Sequence, residues 1–78
     1  MTTQILSPLP GTFFRKPAPD KPAYKAQGDP VALGEVVGLI EVMKSFIEVQ
    51  ADAAGKIVSF LVEDDEPVMA GQPLVEVE

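Results

Sequence analysis

The residue best placed to carry out chemistry is Lys44, within the run Glu41-Val42-Met43-Lys44-Ser45 near the middle of the chain. Apolar runs at residues 36–42 and 45–50 flank the pair Met43-Lys44 closely, which is typical of a β-hairpin. A two-residue hairpin turn favours glycine, asparagine or aspartate, because its backbone needs positive φ. Methionine and lysine violate this preference, and such violations tend to mark functional positions.

Composition excludes several other kinds of chemistry. The chain has no histidine and no cysteine, which removes disulfides, the usual zinc sites and His-based catalysis. The net charge of −6 disfavours nucleic-acid binding. No apolar run approaches the ~20 residues of a membrane span, and residues 1–5 lack the features of a secretory signal. We therefore expect a cytoplasmic protein with no metal site, which binds neither nucleic acid nor membranes.

The elements that would position Lys44 are short β-strands. Eight prolines and six glycines leave few places for a long helix, and no stretch shows a helical apolar repeat. Runs rich in valine, isoleucine and phenylalanine alternate with turn-forming clusters. They predict strands at residues 12–15, 36–42, 45–50, 56–62 and 74–78, with short bridging strands near residues 5–7, 31 and 68. The expected fold class is all-β, a flattened antiparallel barrel or sandwich.

An internal repeat divides the chain into two halves. Pro30-Val31-Ala32-Leu33-Gly34 matches Pro67-Val68-Met69-Ala70-Gly71 at an offset of 37 residues. Gly11-Thr12-Phe13-Phe14-Arg15 resembles Gly55-Lys56-Ile57-Val58-Ser59 at an offset of 44. The first half therefore contains about seven extra residues, in the proline-rich segment at about residues 16–23. We predict two halves related by a pseudo-twofold axis, with a protruding loop in the first half and Lys44 at the turn between them.

The run Glu41-Val42-Met43-Lys44 resembles the Glu-Ala-Met-Lys signature of biotinyl domains, in which biotin protein ligase modifies the lysine. The resemblance covers the chain from about residue 6 to residue 78. Its opening strand is similar to that of the biotin carboxyl carrier proteins of bacterial acetyl-CoA carboxylases. The proline-rich insertion lies where that family has a thumb, and we call residues 16–23 the thumb. The resemblance implies a single biotinyl domain over residues 1–78.

The resemblance also implies roles for individual residues. Lys44 would carry biotin through an amide on its ε-amine, and the residues before it would complete the motif that the ligase reads: Met43, Val42 and Glu41. Glu41 has a counterpart in Glu78 at the end of the second half-repeat, so a structural role for Glu41 stays open. Four thumb residues are candidates for contact with the biotin ring: Lys16, Pro17, Ala18 and Pro19. Lys16 and Ala18 replace small hydroxyl residues of the family pattern, which puts hydroxyl contacts to the ring in doubt.

A protein with this resemblance would be a non-catalytic carrier subunit. Its biotin would take carboxylate from a biotin carboxylase and deliver it to a carboxyltransferase, with acetyl-CoA the favoured acceptor. Tethering would keep the carboxyl group at a high effective concentration near both sites. One alternative is a lipoyl domain of a 2-oxo acid dehydrogenase complex, which has the same fold but usually Asp-Lys-Ala at the tip and no thumb. The other is a β interaction module without a prosthetic group.

Overall fold

The computed structural model describes residues 2–78, and these form eight β-strands connected by turns and loops. Proline and glycine are frequent between the strands, and the strands themselves are rich in β-branched and aromatic residues, as the pleated sheet favours. In chain order the strands are β1 Thr3–Leu6, β2 Gly11–Phe14, β3 Pro30–Val31, β4 Val36–Val42, β5 Ser45–Gln50, β6 Gly55–Phe60, β7 Glu66–Val68 and β8 Pro73–Val77.

The strands make two four-stranded sheets in which every pairing is antiparallel. One sheet has the order β1-β8-β6-β3 and the other has the order β5-β4-β2-β7. Exchanging the first four strands with the last four converts one order into the other. The predicted all-β fold with a pseudo-twofold axis is therefore confirmed.

The residue register follows the two repeat offsets closely. Gly11 lies opposite Val68 in one sheet, and Gly55 lies opposite Val31 in the other. A bulge on the edge pair of each sheet also recurs, after Val36 in the pairing of β4 with β5 and after Ile5 in that of β1 with β8. Register is fixed wherever one face of a strand is buried, since a shift of one residue would expose the buried face. The same apolar pattern therefore specifies both halves.

The core lies between the sheets and consists of counterpart residues from the two halves. Phe13, Val37 and Ile40 are fully buried in the first half, and Ile57, Leu74 and Val77 are their counterparts in the second. Burying an aliphatic or aromatic side chain stabilises the fold by about 1.5–3 kcal/mol. The remaining members of the core cluster are Ile5, Val31, Val49, Ala51, Val62, Val68 and Val75.

The predicted strands differ from the observed ones mainly at their ends. Residues 12–15, 56–62 and 74–78 were each predicted to begin one residue late and to end one or two residues too late. The first strand is Thr3–Leu6 rather than residues 5–7, because exposed Thr3 and Gln4 pair with the last strand and the sequence there has no apolar alternation. The strands on either side of Lys44 have the predicted bounds.

Candidate functional site

Lys44 lies at the tip of a two-residue hairpin turn. Val42, the last residue of β4, pairs with Ser45, the first residue of β5, so Met43 and Lys44 alone make the turn. Met43 has a φ of 58° and Lys44 is outside the left-handed region, which is the pattern of a type II′ turn. That first turn position normally takes glycine, and a side chain there costs about 1–2 kcal/mol. The departure from turn preference noted in the sequence is thus present in the backbone.

Both turn residues project away from the protein. The Met43 side chain is 93% exposed and contributes nothing to the core. Lys44 is also exposed, and its amine has no hydrogen-bond or ion-pair partner among residues 2–78. A primary amine held on a stiff hairpin, clear of neighbouring acids, is open to acylation by another enzyme.

Glu41 and Val42 anchor the tip to the barrel. Val42 is half-buried and packs against the core. Glu41 is half-buried in β4, between Thr12 of β2 and Phe46 of β5. Of the four predicted motif residues, Met43 and Lys44 are therefore presented to solvent, and Glu41 and Val42 are part of the sheet beneath them.

A groove of about 430 Å³ lies beside the tip-bearing sheet. One wall is formed by the four predicted thumb residues, which the structure brings together: Lys16, Pro17, Ala18 and Pro19. Phe14 and Phe46 form the sheet side, and Asp64 and Asp65 in the loop before β7 complete the lining. The groove therefore combines apolar walls with one cationic and two anionic side chains.

The two phenylalanines connect this groove to the hairpin. Phe46 lies two residues after Lys44 on β5 and is 57% exposed, and Phe14 lies on β2. Their rings meet with centroids 6.4 Å apart and tilted by 56°, across the strand that separates them. Beneath them Leu39 pairs with Phe14 and is only 6% exposed, although it lies outside the central core cluster. Phe46, Phe14 and Leu39 thus form an apolar strip on an outer face that also carries Glu41 and Glu48.

The thumb is closed at its base by a small set of contacts. The Tyr24 N–H donates to the Arg15 carbonyl at 3.0 Å, which joins the two ends of the segment. The Arg15 N–H donates to Asp64 Oδ1 at 2.7 Å, and its guanidinium lies 4.0 Å from the centre of the Phe60 ring. Stacking of a guanidinium on an aromatic ring is favourable, by about 0.5–1 kcal/mol in exposed positions. The groove wall is therefore attached to the barrel at both ends.

The electrostatics of the rest of the described chain are simple. Lys25 and Glu35 form a salt bridge of 2.7 Å far from the tip. The hydrogen bond from Lys25, and then that from the Ala32 N–H, lower the pKa of Glu35. Residues 2–78 contain no cluster of metal-ligating side chains. None of them forms a helix that is long and apolar enough to cross a membrane.

Comparison with protein families gives one match that covers almost the whole chain. The biotin_lipoyl family, described as biotin-requiring enzymes, matches residues 3–77. The chain belongs to the biotin_lipoyl family. Lys44 thus occupies the turn between the two half-repeats of a biotin_lipoyl domain.

Relatives within this family agree closely in sequence. The chain is 39% identical over 74 residues to the biotin carboxyl carrier protein of acetyl-CoA carboxylase from Nostoc, which covers 95% of this chain and 41% of the relative. It is 44% identical over 70 residues to the chloroplastic protein of the same name from Glycine max, covering 90% of this chain and 27% of the relative. The chain thus spans less than half the length of these relatives.

Solved structures share the same biotin_lipoyl fold. The Kluyveromyces lactis urea carboxylase matches all of this chain over 6% of its own length, with a TM-score of 0.80 and 28% identity. A single-chain long-chain acyl-CoA carboxylase matches 96% of this chain over 7% of its own, with a TM-score of 0.79 and 23% identity. The second likeness shows the fold alone. Both carboxylases contain a domain shaped like this chain.

Four groove residues were missed by the sequence analysis: Phe14, Phe46, Asp64 and Asp65. A signal for Phe46 was present, because alternation in β5 places this aromatic residue on the same face as Glu48 and Gln50. A single exposed apolar residue is common on protein surfaces, however, and only its contact with Phe14 in the folded chain makes it part of an apolar patch. Asp64 and Asp65 gave no comparable signal, since an acidic turn is usually a solvated one.

Proposed function

We propose that this chain is a biotin carboxyl carrier domain in which biotin is joined by an amide to Lys44. The observation that supports this most directly is the presentation of Lys44, whose amine stands free at a two-residue tip in a chain of the biotin_lipoyl family. The names of its relatives favour biotin over lipoate as the prosthetic group. The proposal also takes residues 1–78 as one carrier domain.

The residues around Lys44 suit biotin in size and polarity. Biotin has an apolar thioether ring fused to a cyclic urea, which offers two N–H donors and one carbonyl acceptor. The groove has apolar walls from Phe14, Phe46 and the thumb prolines, and polar groups at Lys16, Asp64 and Asp65. Small-molecule sites have this composition, mostly apolar with a few polar groups that fix orientation. We propose that Lys16, Pro17, Ala18 and Pro19 contact the ring when the tether folds back.

Biotin protein ligase would read the tip rather than the barrel. Met43 is the exposed residue next to the acceptor, and its positive φ places it at the first position of the turn. We propose that Met43 contacts the ligase directly, and that Glu41 and Val42 act by holding the hairpin upright. The half-buried positions of Glu41 and Val42 support this division.

The carrier itself would perform no catalysis. A biotin carboxylase would load the carboxyl group and a carboxyltransferase would pass it to an acceptor, with acetyl-CoA favoured by the names of the relatives. The tether holds the group at an effective concentration on the order of millimolar near each partner. The absence of cysteine supports a reducing compartment, and we propose the cytoplasm.

The test is an intact-mass measurement after co-expression with a biotin ligase. Wild type should gain the mass of one biotin less one water, and Lys44→Arg should gain nothing while melting at the wild-type temperature. Lys56→Arg is the matched control, because Lys56 is an exposed lysine on β6 far from the tip, and it should be labelled fully. Labelled Lys44→Arg protein would disprove the attachment site. A lipoyl mass on wild type in a host with both ligases would favour the lipoyl alternative.

A further inference from the structure

We propose that the groove discriminates between the two states of the prosthetic group, holding biotin when it is not carboxylated and releasing it when it is. The inference rests on the proposed function and concerns its regulation. The residues responsible are Asp64 and Asp65, which line the groove together with the thumb residues. The groove would then act as a resting place that empties when the carrier is loaded.

The biotinyl-lysine arm is long enough for the biotin ring to fold back into the groove. Lys44 is in the turn and Phe46 is the second residue of β5, so their Cα atoms are at most about 7 Å apart. An extended biotinyl-lysine arm is longer than that distance. Phe46 lines the groove together with the thumb residues, so the ring can reach the groove while Lys44 stays at the tip.

The polar groups of the groove match the urea of uncarboxylated biotin. The Asp65 carboxylate has no hydrogen-bond or ion-pair partner among residues 2–78, and one oxygen of Asp64 remains free beside its bond to the Arg15 N–H. These oxygens can accept the two urea N–H groups. Lys16 makes no ion pair within the same residues and can donate to the urea carbonyl. Hydrogen bonds that involve a charged partner are the stronger ones.

Carboxylation reverses the sign of this interaction. It replaces one urea N–H with a carboxylate, so that a donor is lost and a negative charge is gained. The lining carries two negative charges against one positive charge at Lys16. The interaction between two unit charges about 4 Å apart in water changes an equilibrium constant about fivefold. We therefore expect carboxylation to reduce the fraction of biotin held in the groove about fivefold.

The experiment uses the isolated domain, labelled with ¹⁵N and fully biotinylated on Lys44. Backbone amide spectra are compared for the unmodified domain, the biotinylated domain, and the biotinylated domain treated with a biotin carboxylase subunit, ATP, Mg²⁺ and ¹³C-bicarbonate. The ¹³C carboxyl signal gives the extent of loading. Amide signals of Phe14, Ala18 and Phe46 should shift on biotinylation and return most of the way on carboxylation.

The discriminating variant is Asp64→Asn with Asp65→Asn. Asparagine keeps the acceptor for the Arg15 N–H and tolerates the left-handed backbone of Asp65, whose φ is 66°. In this variant the charge repulsion is removed but the lost N–H donor is not restored, so the groove signals should move back on carboxylation clearly less than in wild type. The control, Glu63→Gln with Asp52→Asn, removes the same two charges from exposed positions outside the groove and should behave as wild type.

The outcomes separate this proposal from the proposed function. A wild-type domain that is never biotinylated or never loaded overturns both. A loaded domain whose groove signals do not respond to biotinylation, or do not return on carboxylation, overturns only the discrimination. A double asparagine variant that responds like wild type, or a control that responds like the variant, also overturns it.

Discussion

The two halves of the barrel have the same topology and different outer surfaces. In the tip-bearing sheet Phe14 pairs with Leu39. In the other sheet Glu76, the counterpart of Leu39, pairs with Ser59, because a register shift between Ile57 and Ser59 leaves Val58, the counterpart of Phe14, without a partner in β8. The tip-bearing sheet therefore has an apolar strip at a place where the other sheet has a polar pair. Phe14 and Phe46 of this strip line the groove together with the thumb residues. The two halves therefore share a buried apolar interior, and they differ in the residues on their outer surfaces.

The two halves also fill equivalent parts of the core with residues of different size. In the first half, a Cβ placed on Gly38 would lie 2.5 Å from a ring carbon of Phe13, so the aromatic ring fills the space above the glycine. In the second half, the counterparts are Ile57 and Val75, both fully buried. A large residue beside glycine and two residues of middle size thus fill equivalent spaces. Cores tolerate such exchanges when total volume is kept.

The largest predicted effect comes from breaking this balance with Gly38→Val. The added side chain must displace the Phe13 ring and its Cβ also lies 2.9 Å from the Phe14 carbonyl oxygen, and overpacking of this kind costs about 3 kcal/mol. A smaller residue at position 13 relieves only the contact with the ring. Adding Phe13→Ile gives the first half the isoleucine–valine pair of the second. Urea unfolding should show the double variant to be more stable than Gly38→Val alone, with a coupling energy of about 1–2 kcal/mol.

Two further variants keep this prediction testable. Phe13→Ile alone should cost about 1–2 kcal/mol through the cavity that it leaves. Gly38→Ala is the milder insertion if Gly38→Val does not fold. If the changes in unfolding free energy of the two single variants simply add in the double variant, the side chains at positions 13 and 38 do not compete for the same space.

The fold was predictable from the sequence because the repeat and the alternation of apolar residues express the same physical constraint. The repeat at offsets of 37 and 44 fixed which strands correspond, and the observed pairing of Gly11 with Val68 follows from it. Strand ends were less predictable, since they depend on hydrogen bonds to a partner strand and leave little trace in the local sequence. Thr3 and Gln4 are examples, because they form a strand only through pairing with β8.

The site was predictable in part. Lys44 and Met43 stood out because they break the rules of hairpin turns, and the thumb stood out as an insertion in a repeat. Asp65 could not be found in this way. Its left-handed backbone matches that of Gly28 in the first half, but aspartate is common in turns and its nearness to the thumb depends on the tertiary fold.

The second prediction removes all of the thumb except Lys16 and makes the halves alike. Deleting residues 17–23 joins Lys16 to Tyr24, which reproduces the direct connection from Phe60 to Leu61 in the second half. Shortening a flexible loop changes closure entropy by only about 1 kcal/mol, so the free energy of unfolding should change by no more than that. Biotinylation should proceed at the wild-type rate, and carboxyl transfer with the partner enzymes should fall.

The expected stability and the expected loss of carboxyl transfer can each fail separately. Loss of cooperative unfolding would show that the segment is part of the core and that the repeat alignment is wrong there. A folded deletion variant that transfers carboxyl groups at the wild-type rate would reduce the thumb to a passive loop.

The third prediction concerns the tip, which has no equivalent turn in the second half. Met43→Gly removes the side chain from a left-handed position and should raise stability by about 0.5–1 kcal/mol, even though it loses a side chain. Ser45→Gly is the control, because it places glycine in the adjacent strand and should lower stability by about the same amount. Biotinylation should slow in Met43→Gly and in Met43→Asp, which gives the tip the Asp-Lys pair of lipoyl domains. Equal labelling rates would show that the ligase does not read Met43.

The smallest predicted effect concerns Glu35 and its counterpart Gln72. The side chain of each accepts a hydrogen bond of 2.9 Å from the backbone three residues earlier, and only Glu35 also has a lysine partner. The hydrogen bond from Lys25 lowers the pKa of Glu35 in the folded state, so its contribution to stability is present at neutral pH and is lost as the pH falls through that lowered value. Glu35→Gln should therefore melt slightly below wild type at pH 7, and the two should converge in acid. Because the Lys25 side chain is 15% exposed and that of Glu35 is 41% exposed, the pair is partly screened and 1 M salt should reduce the difference in part. Gln72→Glu supplies a carboxylate without a lysine beside it. Between acid and neutral pH this new carboxylate should therefore add less to the free energy of unfolding than Glu35 does. A difference between wild type and Glu35→Gln that persists unchanged into acid would assign the effect to packing at Glu35 rather than to its charge.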